Sequence, residues 1–250
     1  MNILGIDIGG SGIKGAPVNI KTGALVAERI RLATPIPSKP KAVALTVREI
    51  VRHLDWRGPL GITMPGRVRN GIVLTAANID DAWIGTHAER LFSKVTKCPS
   101  RAINDADAAG VAELTFGSGR GRDGVVLMLT FGTGIGSGLF IDGRLVPNTE
   151  LGHLILHGNK AEAYAADSAR KRNDLVWVEW AARVQEYLDH VEFLFAPDLI
   201  ILGGGVSRPK RAKKYLHLLK TNADLVLAQL QNEAGIIGAA SAARTLLKAR

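Results

Sequence analysis

A chain of 250 residues with 46% hydrophobic content and a single cysteine can bury one large core or two modest ones, and it is too apolar to stay disordered. No run reaches the length of a membrane span, about 18 to 20 uninterrupted apolar residues. The N-terminus enters a strand pattern without the charged-then-apolar layout of a signal peptide, so a cytoplasmic protein without a membrane partner is expected. The lone Cys98, an ordinary loop residue before Pro99, excludes an internal disulfide and a thiolate zinc cluster. A formal charge of +9 suits a nucleic acid, an anionic lipid surface, a polyanionic substrate or simply a solvated basic surface. No arginine-rich tail, zinc-finger spacing or helix-turn-helix preface singles out nucleic acid.

In chain order, Ile3 to Ile8 read as a buried strand and Lys14 to Asn19 as a second strand after a glycine turn, so the pair is a hairpin. Ser38 is a candidate N-cap, Pro40 falls in a first helical turn, and Val43, Val47, Ile50, Val51 and Leu54 follow at helical spacing, predicting a crossover helix. Leu60 to Met64 returns as a strand. Ala102 to Asn104 is a short strand running into a helix from Asp105 to Phe116, which Gly117 closes. Val125 to Thr130 then restarts the plan: an apolar strand, the glycine turn FGTGIGSG, a returning strand over Ser137 to Ile141 and an Asp142-Gly143 hairpin turn. A long helix is predicted over Leu175 to Phe195, a buried strand over Leu199 to Leu202, and an Ala-rich helix from Ile236. Two α/β lobes of related topology follow, 1–117 and 118–250, joined near Gly117 to Asp123, with the last helix able to return to the first lobe.

Two glycine turns with small hydroxyl residues present backbone N–H groups unobstructed, a concave site for an anion such as phosphate. Gly10, Gly12 and Gly15 also have GxGxxG spacing, but the dinucleotide mechanism needs a helix to open at the third glycine. Here Ala16, Pro17 and Val18 continue as strand, which sets a dehydrogenase aside. Asp7 lies in an apolar strand just before the first turn, where an unpaired carboxylate is costly. It calls for a cation: Mg²⁺, usually through water, or a nearby Lys or Arg.

Six motifs in order, DIGGSGIKG, TMPGRV at Thr63 to Val68, NDADAAG at Asn104 to Gly110, LTFGTGIGSG at Leu129 to Gly138, ELGH at Glu150 to His153 and LGGGVS at Leu202 to Ser207, make the chain resemble the sugar kinases of the ROK family. The likeness spans essentially the whole chain and is strongest to polyphosphate glucokinases, within the actin, Hsp70 and hexokinase-like superfamily. It implies two ribonuclease-H-like (actin-like ATPase) α/β lobes with a cleft between them, and a homodimer. Most ROK proteins carry a cysteine-rich zinc motif after ExGH. Here HGNKAEAYAADSARKRNDL stands in its place, with Glu162 and Tyr164 matching the zinc-free pattern, so no zinc is expected. With a strand beginning at residue 3, the DNA-binding module of ROK repressors has no room, and no nucleic-acid partner is expected.

A sugar hydroxyl is a poor nucleophile, so a carboxylate must take its proton while cations and N–H groups hold the transferring charge. The resemblance gives the base to Asp105. Helix capping is its alternative role, and Asp107 is a competing carboxylate. The resemblance assigns sugar binding to Asn78, Asn104, Asp105, Glu150, His153 and Glu162, and Gly66 lets backbone approach the sugar. Plain surface charge competes for the two glutamates and a structural hydrogen bond for His153. The phosphate donor falls to Asp7, Gly9, Gly10, Ser11, Lys14, Thr130, Gly132, Thr133 and Gly134, with Gly203, Gly204 and Gly205 at the edge and Mg²⁺ at Asp7. ATP and polyphosphate share a terminal phosphoanhydride and differ in length of repeated charge. Lys160, Arg170, Lys171, Arg172, Arg208, Lys210, Arg211, Lys213 and Lys214 would favour the longer donor in a salt-sensitive way. A glucokinase using polyphosphate, with ATP as a further donor, is therefore expected. A strictly ATP-dependent glucokinase or glucomannokinase and a non-catalytic sugar sensor are the alternatives.

Overall fold

In the computed structural model, which describes residues 1–247, the glycine-punctuated N-terminus folds as a hairpin. Strands β1 (Asn2–Gly9) and β2 (Gly12–Asn19) pair antiparallel from Asn2 opposite Asn19 to Gly9 opposite Gly12. Gly12 to Asn19 stay extended, so the GxGxxG spacing opens no helix. Next come β3 (Ile30–Leu32), α1 (Pro40–His53), β4 (Leu60–Met64), the short hairpin β5 (Val68–Arg69) and β6 (Ile72–Val73), α2 (Ala88–Thr96), β7 (Ser100–Asn104) and α3 (Asp105–Phe116). Five strands form one sheet in the order β3-β2-β1-β4-β7, with β4 parallel to both β1 and β7. All five residues of β4 are buried, as a central parallel strand covered on both faces requires.

Helix α1 sinks Val43, Ala44, Val47, Ile50 and Val51 into a core shared with Ile6, Ile62, Trp83 and Phe92. Ser38 does not cap it: Lys39 is the capping residue and makes no side-chain cap bond, while the Ser38 hydroxyl accepts the Asp80 N–H at 3.0 Å. Pro40 supplies no N–H, so this helix start has one donor fewer to satisfy. Cys98 lies in a loop yet is buried, and that burial pushes its thiol pKa up.

A second compact unit, Glu113–Asn232, repeats the plan. It holds β8 (Val125–Phe131), β9 (Ile135–Ile141), β10 (Arg144–Val146), the hairpin β11 (Ile155–Leu156) and β12 (Asn159–Lys160), α4 (Ala161–Ala165), α5 (Asp167–Arg172), α6 (Trp177–Phe195), β13 (Leu199–Gly204), α7 (Pro209–Ala212) and β14 (Asp224–Leu227). The sheet order β10-β9-β8-β13-β14 matches the first sheet position for position: a three-strand antiparallel meander, then two parallel strands. Asp142 and Gly143 turn β9 into β10 at φ of 49° and 73°, the doubly positive pair of a tight hairpin. Aromatic rings fill the core, Phe131 edge-on to Trp180 and Tyr187, and Trp180 edge-on to Tyr215.

The last helix, α8 (Ala234–Ala242), belongs to the first unit, which comprises residues 1–112 and the segment from Glu233. The chain therefore passes from the first unit to the second inside α3, between Ala112 and Glu113. α8 lies so close to its sheet that a Cβ on Gly61 would overlap the Ala239 carbonyl, and one on Gly5 the Ile236 carbonyl. Among the described residues no helix is long and apolar enough to cross a membrane. In both sheets the glycine turns follow the carboxyl ends of the first strands, the edge where open α/β sheets bind ligands.

Candidate active site

In the first unit the β1–β2 register sets Asp7 directly opposite Lys14, and Lys14 Nζ lies 3.1 Å from Asp7 Oδ2. Thr63, at the end of β4, donates its hydroxyl to Asp7 Oδ1 at 3.0 Å and accepts the Ile8 N–H at 3.0 Å. Of the two cations that Asp7 called for, the lysine is thus the one the side chains supply. The start of α8 borders this carboxylate: a Cβ on Gly235 would come within 2.9 Å of it, so glycine there leaves room for the Asp7 side chain.

Beyond Asp7, Gly10 and Ser11 are exposed. The turn is held from one side by Thr34, whose hydroxyl donates to the Gly9 carbonyl at 2.5 Å, and flanked by Arg31, which donates to the Ser11 carbonyl at 3.4 Å. Asn78, at φ 60°, lies against Gly10: a Cβ on that glycine would sit 3.2 Å from the Asn78 carbonyl oxygen. The TMPG turn and the start of α3 are also tied, because Asn104 Nδ2 donates to the Gly66 carbonyl at 3.1 Å. Gly66 has φ +155°, and a Cβ there would overlap the Thr75 carbonyl, so the chain's own packing also requires a glycine at this turn.

At α3 the capping role goes to Asn104, whose Oδ1 accepts the N–H groups of Ala106 at 2.8 Å and Asp107 at 3.0 Å. Asp105 is exposed, with Oδ1 also taking the Ala106 N–H at 2.9 Å, whereas Asp107 is 1% exposed. Of the two carboxylates, only Asp105 stands at the surface where a sugar hydroxyl could meet it.

In the second unit Glu162, on α4, closes the glycine turn from the side. Its Oε2 accepts the Ile135 N–H at 3.3 Å and occupies the space where a Gly134 Cβ would go. Its Oε1 lies 3.2 Å from His153 Nε2, and Lys160 Nζ lies 3.5 Å from that same nitrogen. A protonated Nε2 donates to Glu162; a bare Nε2 accepts from Lys160. The Glu150 carbonyl accepts the His153 N–H at 2.9 Å, so the ELGH residues fold onto one short turn. Ser168 fixes the glycine turn from below: its N–H donates to the Gly132 carbonyl at 3.0 Å and its hydroxyl to the Thr133 carbonyl at 2.6 Å. Thr130 stands opposite Gly203 in the β8–β13 register, and Gly204, at φ +81°, lies against the Phe131 backbone. LGGGVS thereby reaches the edge of the second turn.

The predicted cations separate. Arg170, Lys171 and Arg211 converge on Asp167, while Arg172 donates to the Ala163 carbonyl at 2.8 Å. Burial pushes the Asp167 carboxyl pKa up, but hydrogen bonds and charge from Lys171 and Arg170 outweigh it and hold the pKa below its ordinary value. Arg208, Lys210 and Lys213 are exposed.

Sequence reasoning missed Arg31, Thr34, Ser168 and Gly235 as partners of the two turns. Thr63 carried a signal through its place in TMPGRV, but its bond to Asp7 spans 56 positions and no pattern announces it.

The ROK family's sequence profile matches residues 3–165. A polyphosphate glucokinase of Mycobacterium tuberculosis is 49% identical over 239 residues, covering 95% of this chain and 89% of its own. The crystal structure of an inorganic polyphosphate/ATP-glucomannokinase from Arthrobacter sp. strain KM superposes with a TM-score of 0.91 at 47% identity, covering 99% of each chain. A ROK family glucokinase from Streptomyces griseus, in complex with glucose and AMPPNP, superposes at 0.81 and 25% identity over 98% of this chain and all of that one.

Proposed function

The chain belongs to the ROK family, and we propose that it is a glucokinase that transfers a phosphoryl group from inorganic polyphosphate, and also from ATP, to the 6-hydroxyl of glucose. The observation that carries this is the start of α3: Asn104 does the capping and Asp107 is buried, which leaves Asp105 as the exposed carboxylate. Asp105 accepts the proton of the sugar hydroxyl as its oxygen bonds to the terminal phosphorus. The phosphoanhydride bond breaks, and the donor leaves one phosphate shorter. Helix α3 begins at this carboxylate, and its N-terminal dipole favours the ionised form that a base requires.

Sugar-binding roles go to Gly66, Asn78, Asn104 and Asp105 in the first unit and to Glu150, His153 and Glu162 in the second. The Glu162–His153 pair suits this role, since together they offer both donors and acceptors to hydroxyl groups. The donor phosphates are assigned to Gly9, Gly10, Ser11 and Lys14, and to Thr130, Gly132, Thr133, Gly134 and the Gly203 to Gly205 edge.

Among the described residues no three His, Cys, Asp or Glu side chains gather as a cation cage. Mg²⁺ needs none, because it keeps several waters and is commonly held by one or two carboxylates together with substrate phosphates. Asp7, partly exposed beside the first turn, fits that requirement, and the ion would neutralise charge on the transferring phosphate. The enzyme is assigned to the cytoplasm, to sugar entry into glycolysis and to a homodimeric state.

A coupled assay for glucose 6-phosphate with polyphosphate and ATP side by side tests the donor. Faster turnover with long polyphosphate at low salt, lost on chelating Mg²⁺, is expected. ATP-only activity defeats the donor assignment, and tight glucose binding without turnover would make the protein a sensor.

A further inference from the structure

A polyphosphate chain continues far past the group it transfers, so a site for such a donor needs something to hold the remainder. Resting on the donor assigned above, we propose that Arg170, Lys171, Arg211 and Lys214, gathered around Asp167 and Trp177 on α5, α6, α7 and the turn that follows α7, form a subsite for the trailing phosphates of a long polyphosphate chain.

The cluster is built rather than scattered. The Asp167 side chain is only 4% exposed, yet it takes Arg170 Nε at 3.1 Å, Lys171 Nζ at 2.7 Å and Arg211 Nη1 at 3.6 Å, the last from 44 positions away in sequence. Trp177 stacks on Tyr215 at an interplanar angle of 14°, and over its ring lie the Arg170 guanidinium at 4.3 Å and Lys214 Nζ at 5.8 Å. Four cations against one carboxylate leave three positive charges uncompensated among these groups. Like charges brought this close repel, and an anion with several closely spaced charges relieves that repulsion. Seating two of them on an aromatic ring limits their freedom before any ligand arrives, which lowers the ordering cost of binding.

Position supplies the second argument. Ser168, the neighbour of Asp167 on α5, is the residue bonded to the Gly132 and Thr133 carbonyls of the second glycine turn. Arg211 also donates to the Gly205 carbonyl at 3.3 Å. One short helix thus connects the backbone of the donor turn to the cations, so a chain leaving that turn along α5 meets them. The triphosphate of ATP ends in a nucleoside and lacks the further charges such a path would read.

The experiment compares long-chain polyphosphate, short-chain polyphosphate and ATP as donors to glucose, for the wild type and for the double variant Lys171→Gln/Lys214→Gln, whose altered side chains end in exposed positions. Wild type should favour the long chain. In the variant the ratio of kcat/KM for long over short chains should fall about tenfold, and the slope of log KM against log salt for the long chain should flatten by about 1.4, the counterion release of two single-strand phosphate contacts. Lys171→Arg with Lys214→Arg should restore both readouts, and a melting curve on each variant reports folding. An unchanged ratio and slope in a folded variant that still uses polyphosphate overturns the subsite alone. An equal loss for long chain, short chain and ATP also overturns it, since that pattern marks a structural role. A wild type that turns over ATP but not polyphosphate removes the donor assignment and the subsite together.

Discussion

In the first unit the glycine turn takes most of its polar partners from the sheet itself: Asp7 on β1, Lys14 opposite it on β2, Thr63 on the neighbouring β4 and Arg31 on β3, with Thr34 just beyond β3 bonded to the Gly9 carbonyl. In the second unit the same frame, strand for strand, carries no carboxylate inside its first strand. The turn there borrows Glu162 from α4 and Ser168 from α5, elements that lie outside the sheet. A common topology therefore does not fix where charge sits. In one unit the charge is part of the strand and of the fold; in the other it is mounted on a separate segment that can change while the sheet stays intact.

That contrast can be broken by substitution. The largest effect is expected in the first unit, where Asp105→Asn should lower turnover by about 10²-fold or more with the melting temperature unchanged, since a general base contributes about 10² to 10⁴. A near-normal rate would remove the base role from Asp105. Lys14→Met should lose both stability and activity, because it leaves the partly buried Asp7 carboxylate without its ion-pair partner at a cost of about 1 to 3 kcal/mol. A denaturant midpoint and a donor KM measured on one preparation check both halves.

Ser168→Ala in the second unit should instead raise the donor KM about fivefold, the equivalent of one hydrogen bond of about 1 kcal/mol, with little change in melting temperature. A loss of stability equal to that of Lys14→Met would erase the distinction between the two turns.

The smallest effect concerns acid. Asp167 has a folded pKa below its ordinary 3.8, so the unfolded chain takes up its proton first as pH falls. Its stabilisation is complete above that ordinary value and is lost as pH drops through the folded one. Melting curves from neutral pH to about pH 3 should therefore fall less steeply at the acid end in Asp167→Asn than in wild type, once the variant's lower starting stability is allowed for.

Much of the frame was legible in the sequence because its signals are local. The glycine turns, the helical spacing of Val43, Val47, Ile50 and Val51, and the Asp142-Gly143 turn depend on neighbours a few positions apart, and β1, β2, α1, α3, β8 and β13 lie where those signals predict. Helix α2 went unread although Phe92 and Ala88 are buried, and so did the short β3 and β14, whose three or four residues carry too little periodicity to register. Ser38 looked like a cap because serine before a helical pattern usually is one. Pro40 reduced the need for a cap there, and the hydroxyl bonds Asp80 instead, 42 positions on.

The site divides along the same line. Sequence alone determined the order of the motifs, the two glycine turns, a carboxylate at the start of α3 and an excess of basic residues, since each is a property of composition or of close spacing. Tertiary structure decided which residues meet: that Lys14, of the lysines and arginines, pairs with Asp7, that Asn104 takes the cap and leaves Asp105 at the surface, that Glu162 reaches His153, and that three of nine basic side chains share one buried carboxylate. The first of these depends on strand register and the last in part on a segment folded back across 44 positions, from Arg211 to Asp167, while the cap and the Glu162–His153 pair select among neighbours within ten positions. A hydrogen bond falls off within a few tenths of an ångström, so only the packed chain could select its partners.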